Sequence, residues 1–396
     1  MATFLLVIIF VLYIGLGLPD SSIGASWPAL YVDLGLNVGT QSLVAIVVSL
    51  GTVGASFFSA RIINKFGTIL VTSFSTLLSA LALLGFSLSN SLAWLIVFAI
   101  PLGFGAGAID AAINNYVATK YKASHVSFVH CCYGIGVALT PYLFSLALFP
   151  DNDWRLGFRI IFIIQMAIAV VAFASIPLWK KVEDKQTPSE KFTPVTLSVK
   201  QMAKMPTVVI AFLLFFSTCS LEFLCGTWGC TFLVKTKFIT ESYAASLITF
   251  YYVGITSGRF ISGIFSKKLT CGQTLTIGFS LVLIGVVALF FNLSATLFGI
   301  AFFLIGFGNG PTFPLITHAT PFIYGKEKSQ SIIGIQMVGC NLGILSMCAI
   351  SGPLFQLASF YAFPYYAIIC YILMISMFVI YQKLIKKQSM SFYKIY

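Results

Sequence analysis

The stretch Leu102-Gly103-Phe104-Gly105-Ala106-Gly107-Ala108-Ile109-Asp110-Ala111-Ala112-Ile113-Asn114-Asn115-Tyr116 holds a single carboxylate among apolar, Gly and Asn residues. As a helix, it places Gly103, Gly107, Asp110 and Asn114 on one face, spaced 4, 3 and 4 apart. Small residues let helices approach closely, and polar groups on that face then point into a bundle. A carboxylate at the centre of a membrane-spanning helix costs roughly 2.5–3.5 kcal/mol on insertion scales. Two more acids sit the same way, Asp20 within Phe4–Val32 and Glu222 within Thr207–Val234. Together they predict a buried polar path, because lipid would not tolerate them facing outward.

The rest of the chain has the composition of a membrane protein. Of 396 residues, 59% are apolar, 15% aromatic and 9% charged, too little charge for a soluble surface. Apolar runs of about 20 residues recur, each enough to cross a ~30 Å hydrocarbon core. Continuous runs exclude a β-barrel, whose strands would alternate. The expected fold is an all-α polytopic membrane protein with twelve transmembrane helices. The spans fall near 3–32, 39–62, 68–89, 92–119, 124–150 and 157–180, then 207–235, 240–266, 271–292, 295–323, 328–358 and 361–384.

The net charge of +12 does not indicate nucleic acid, because the Lys and Arg residues sit mainly in short loops, where they set orientation. One set of loops carries Arg61, Lys65, Lys120, Lys122, Lys267, Lys268, Lys326 and Lys328, and the basic residues of the central loop and tail lie on the same side. The opposite loops hold Arg155, Arg159, Lys235 and Lys237. The heavier side is expected to be cytoplasmic, with both termini inside a plasma or inner membrane. The first apolar run is too long for a cleavable signal and has no basic segment before it. Nine Cys without metal-ligand spacing behave as small hydrophobes.

The long hydrophilic segment Lys180 to Met205 divides the chain. The expected domains are a six-helix bundle over 1–180, a cytoplasmic linker over 181–206, a second six-helix bundle over 207–384 and a tail over 385–396. The halves repeat. Displaced by 203 residues, Gly103-Phe-Gly-Ala-Gly107 falls on Gly306-Phe-Gly-Asn-Gly310, and Gly51, Phe57, Ser59 and Lys65 fall on Gly254, Phe260, Ser262 and Lys268. Displaced by 202, Asp20 and Gly24 fall on Glu222 and Gly226. An even number of spans per half makes the repeat parallel, with its axis along the membrane normal.

Several other polar groups lie within spans. His130 can exchange a proton near neutral pH with Asp110 as a candidate partner, or simply be a satisfied hydrogen-bonding group. Trp228 can stack on a sugar ring or belong to an interfacial belt. Asn309, His318, Gln336 and Asn341 are further polar candidates. Arg259 either pairs with an acid or snorkels to the interface. Basic residues at the loops after spans two and eight (Arg61 and Lys65, Lys267 and Lys268) either act on helix C-termini as a gate or are topology determinants. No HExxH, GxxxxGK[ST] or GxSxG motif occurs. An enzyme is therefore not expected, and an ion gradient is the remaining energy source.

These features resemble the major facilitator superfamily, and the polar positions resemble its fucose permease branch of sugar:proton symporters. The likeness rests on Gly103 to Asn115, on His130-Cys-Cys-Tyr133-Gly-Ile-Gly136 and on Gly308-Asn-Gly-Pro-Thr-Phe-Pro314. It implies two six-helix bundles around a central cavity, working by alternating access. It further implies that Asp110 recognises a sugar, that Asp20 handles the proton and that His130 and Tyr133 occupy a polar position in span five. Asp110 stands where the characterised permease has Glu, His130 where it has an amide, and Asn64 where the superfamily usually has Asp.

The combined reading is proton-coupled uptake of a small polar solute such as a monosaccharide. Asp110, Asn114, His130, Tyr133, Trp228, Asn309, Gln336 and Asn341 are its candidate solute contacts, and Asp20 or Glu222 carries the proton. The partners are the solute, a proton and the lipid bilayer. The protein is expected to act as a monomer without cofactor, metal or nucleic acid. Proton-driven export of lipophilic compounds and a non-transporting membrane receptor are the rival readings.

Overall fold

A computed structural model describes residues 2–120, 123–183, 197–265 and 268–387. In a bilayer every backbone N–H and C=O must be satisfied within the chain, which favours helices, and the regular elements described are helical. They are α1 Ala2–Gly17, α2 Ser22–Asp33, α3 Gln41–Phe66, α4 Thr68–Leu88, α5 Leu92–Lys120, α6 Ala123–Ala147, α7 Trp154–Ala174 and α8 Ile176–Glu183. There follow α9 Val199–Ala203, α10 Pro206–Lys237, α11 Glu241–Phe265, α12 Cys271–Ala288, α13 Ala295–Asn309, α14 Thr312–Tyr324, α15 Lys326–Ala358 and α16 Phe363–Lys387.

Among the described residues, eleven stretches are long and apolar enough to cross a membrane, and they coincide with eleven of the twelve expected spans. The remaining expected span, 240–266, forms α11. Its Ser, Thr and Tyr residues and Arg259 make it less apolar than its neighbours.

Two of the spans that carry mid-span polar groups are broken where the sequence withholds a helical hydrogen bond. Pro19 has no N–H, and α1 gives way to α2 through a turn at Leu18–Ser21. Thr140 Oγ1 of α6 donates to the freed Leu18 carbonyl at 2.7 Å, and Ser21 Oγ donates to the Val137 carbonyl at 2.7 Å. Asp20 lies in this turn. The second break, at Gly310-Pro311, separates α13 from α14. Some helix starts elsewhere are capped by their own side chains. Asp153 accepts from the Leu156 N–H, and Ser198 with Gln201 and Thr270 with Gln273 form capping boxes.

The chain packs as two units. One comprises Met1–Ser189, Gly229–Thr249 and Ser351–Leu357, the other Glu190–Trp228, Phe250–Ile350 and Ala358–Tyr396. This is a partition by packing, whereas the expected halves are a partition by repeat. Within the first unit, the segments from later in the chain dock on early helices. Ser242 Oγ donates to the Ser145 carbonyl at 2.6 Å, and Lys235 Nζ sits 5.1 Å over the Tyr31 ring.

The internal repeat recurs in the packing of each unit. Gly103 abuts the Val48 carbonyl and Gly306 abuts that of Tyr251; Gly107 abuts Thr52 and Gly310 abuts Ile255. Gly105 meets the Ser75 carbonyl and Gly308 that of Gly278, while Gly51 meets Ile100 and Gly254 meets Phe303. In every pair both partners are displaced by the same 203 residues. The Gly positions therefore mark equivalent helix crossings, where a side chain would collide with backbone. That accounts for the spacing of the small-residue stripes.

Candidate functional site

In the first unit, polar groups from α1, the turn after it, α5 and α6 gather on facing sides. Asp110 and Asp20 are both exposed although they lie in the middle of apolar spans, while Ile109, Ala112, Leu18 and Ser21 beside them are buried. Asn114 Nδ2 donates to Asp110 Oδ1 at 2.7 Å, the one-turn contact that the 110/114 spacing predicts. Tyr133 Oη donates to Asp20 Oδ2 at 2.5 Å, joining α6 to the broken span. Gly17 and Gly136 make this possible. A Cβ on either would collide with the facing backbone, at Tyr133 for Gly17 and at Ile14 for Gly136.

His130 does not stand alone with Asp110. Its ring meets the Tyr13 ring edge-on at 5.9 Å between centroids. Sequence reasoning passed over Tyr13. The available signal was a phenol within the same apolar run that carries Asp20.

In the second unit, Glu222 is ion-paired. Arg259 Nη2 lies 3.4 Å from Glu222 Oε1, with side-chain exposures of 14% and 22%. Arg259 Nε also donates to the Gly310 carbonyl at the second helix break, at 3.2 Å, and Tyr251 Oη donates to the Glu222 carbonyl at 3.0 Å. Of the two expectations for Arg259, pairing holds. Glu222, the second candidate proton carrier, thus has a cation beside it.

Four proposed solute contacts are occupied by packing. Trp228 has 0% exposure and tilts against Phe360 at 5.7 Å between ring centroids. Gln336, also fully buried, bonds Thr320 on α14. Asn309 is buried and donates to the Thr218 carbonyl at 3.4 Å. Asn341 Nδ2 turns back to the Met337 carbonyl of its own helix at 3.0 Å. His318 stacks against Phe322. At the basic loops, Lys65 Nζ rests 5.1 Å over Phe66, and the Lys268 backbone closes a turn onto Phe265. Lys267 and the side chain of Arg61 lie outside the described residues.

An α-helical span set with broken helices and mid-span acids is an arrangement found in membrane transporters. The Major Facilitator Superfamily profile matches residues 5–346, and the chain belongs to that family. It is similar to the glucose/mannose transporter GlcP of Bacillus subtilis (strain 168), 21% identical over 334 residues, covering 81% of this chain and 80% of that protein. It is also similar to Bypass of stop codon protein 6 of Saccharomyces cerevisiae (strain ATCC 204508 / S288c), 23% identical over 365 residues, covering 84% of this chain and 73% of that protein. Among solved structures, the fold matches the nucleoside transporter NupG with a TM-score of 0.72, 14% identity and coverage of 94% of this chain and 98% of that one. A bacterial homolog to the human lysosomal transporter Spinster, inward-facing and unoccupied, matches with a TM-score of 0.63, 12% identity and coverage of 97% of both chains. The protein is a transporter of the superfamily rather than an enzyme.

Proposed function

We propose that the protein carries a small neutral polar solute, a monosaccharide first, across a plasma or inner membrane together with a proton, by alternating access with both termini cytoplasmic. The observation that carries this reading is the contrast between the acids. Asp20 is held by the neutral Tyr133 hydroxyl, whereas Glu222 is held by Arg259. A carboxylate held by a neutral hydroxyl can be neutralised by taking up a proton, and that removes the cost of moving a charge through a low-dielectric interior. Asp20 is therefore the proton site. Asp110 and Asn114 together offer acceptors and a donor to hydroxyl groups of a solute, with His130 alongside. The GlcP relative makes glucose the first probe.

The test is uptake of labelled glucose into proteoliposomes with and without an inward proton gradient. Accumulation should require the gradient and disappear in Asp20→Asn. Asp110→Asn should lower glucose affinity about tenfold, the loss of one charge-assisted hydrogen bond. Accumulation without a gradient, or full coupling in Asp20→Asn, would overturn the reading.

A further inference from the structure

Pro311 and Pro314 leave two helical acceptors without donors at the second broken span. In a continuous helix the Phe307 carbonyl would accept from residue 311 and the Gly310 carbonyl from residue 314, and proline has no N–H. The backbone itself stays near helical values here, with Gly310 at φ −51°, ψ −44° and Pro311 at φ −66°, ψ −19°. The break is therefore a gap in hydrogen bonding more than a change of direction.

α11 fills part of that gap. Gly258 brings its backbone against the Phe307 carbonyl, where an added Cβ would stand 2.3 Å away. The next residue, Arg259, donates through Nε to the Gly310 carbonyl at 3.2 Å, and its Nη2 lies 3.4 Å from Glu222 Oε1. The repeat supplies a comparison. Displaced by 203 residues, Gly310, Pro311 and Pro314 fall on Gly107, Ala108 and Ala111, and Arg259 falls on Ser56. There α5 runs unbroken from Leu92 to Lys120. The two prolines and the arginine occur together in one unit, and their equivalents in the other lack all three.

We propose that Arg259 is a positioning residue that takes the place of the N–H missing from Pro314, and that Glu222 keeps it seated. A guanidinium presents its donors in a planar fork, so one side chain serves the carboxylate and the carbonyl at once. Drawing Glu222 away, or neutralising it, frees the fork and leaves the Gly310 carbonyl without a donor. α14 then moves more freely against α13. Its motion is passed to α15, because Gln336 Nε2 donates to Thr320 Oγ1 at 3.2 Å between the two helices. The mid-span acid of the second unit thereby sets the stiffness of one span. This arrangement lies within one packing unit and depends on neither the solute role of Asp110 nor the proton role of Asp20.

The test is hydrogen–deuterium exchange of the full chain in lipid nanodiscs, without solute, read over residues 312–318 with α12 as the reference. Four proteins form a cycle: the parent, Arg259→Ala, Pro314→Ala and the double variant. Arg259→Ala should speed exchange over 312–318 about tenfold, the loss of one hydrogen bond from a charged group. In the Pro314→Ala background the restored N–H serves Gly310, and removing Arg259 should change the rate by less than about twofold. Equal acceleration in both backgrounds means that Arg259 acts through packing alone and overturns the proposal, as does no acceleration in either. Glu222→Gln should accelerate the same segment in the parent and add nothing once Arg259 is gone. Acceleration by Glu222→Gln that persists without Arg259, or none with it, overturns the seating role of Glu222. If Arg259→Ala fails to fold by size exclusion, Arg259→Met replaces it in the same cycle with the same expected outcome. Because no solute takes part, failure of glucose uptake and failure of this arrangement are separate results.

Discussion

Arg259 and Glu222 form an ion pair across α11 and α10 at 3.4 Å, and the repeat does not reproduce its cation in the first unit. Displaced by 203 residues, Arg259 falls on Ser56. The repeat has kept the acid and the glycine crossings in both units but the cation in one. Tyr133 supplies in the first unit the hydrogen bond that Arg259 supplies in the second. Duplicated architecture thus carries two electrostatic environments, an acid beside a cation in one unit and an acid bonded by a hydroxyl in the other.

Removing Arg259 should leave Glu222 partly buried and unpaired, and free the Gly310 carbonyl. Breaking a buried pair costs about 3–5 kcal/mol; the partial exposure here brings the expected loss for Arg259→Ala to about 2 kcal/mol. The melting temperature in detergent should fall by several degrees. The double variant Arg259→Ala/Glu222→Gln should recover part of it, because the uncompensated charge is gone. No recovery would mean that Arg259 acts through packing or through Gly310 alone.

The same asymmetry predicts a split in pH response. A proton that must load before reorientation makes uptake rise as the outside becomes more acidic and fall as it becomes more alkaline. Asp20→Asn should flatten this profile in vesicle assays, while Glu222→Gln should retain it. A flat profile in Glu222→Gln with a normal one in Asp20→Asn would move the proton site to the second unit.

Composition, span positions and the repeat were legible because hydropathy and Gly spacing are local properties of the chain. The placement of Asp20 in a turn rather than on a helix face was not legible, because it depends on α6 supplying Thr140 and on Ser21 reaching Val137. The solute contacts were less legible. Trp228, Gln336 and Asn309 are polar-capable groups in spans, and periodicity assigns them a face. Whether that face meets a cavity or a neighbouring helix is decided by partners such as Phe360, Thr320 and Thr218, far away in sequence. Tyr13 escaped notice for the opposite reason, since an aromatic residue in an apolar run looks like core.

The paired glycine crossings make a test of equivalence. Gly103→Ala and Gly306→Ala each push a methyl group into a backbone carbonyl, of Val48 and Tyr251. Backbone cannot swing aside, so each should cost about 1–3 kcal/mol and lower the melting temperature to a similar degree. Gly334 is helical with nothing within 4 Å of an added Cβ. Gly334→Ala should stabilise by up to about 1 kcal/mol through better helix propensity. Equal effects at all three positions would remove the argument that the stripes are crossing points.

The end of the first unit opposite the N-terminus has its own clamp. Arg155 binds the Asp33 carboxylate, stacks 4.2 Å over Trp154 and donates to the Ser89 carbonyl at 3.3 Å, while Trp154 Nε1 donates to Asp33 at 3.1 Å. One guanidinium thereby ties α2, α7 and the end of α4. The ion pair itself is half in solvent, with side-chain exposures of 32% and 48%, and contributes about 0–1 kcal/mol. The stacking and the carbonyl bond need a planar fork, which lysine lacks. Arg155→Lys should therefore lose nearly as much stability as Arg155→Ala, about 1–2 kcal/mol. Raising salt should weaken the parent little, because screening acts on the exposed pair and not on the other two contacts. A lysine variant as stable as the parent would show that charge alone holds these helix ends.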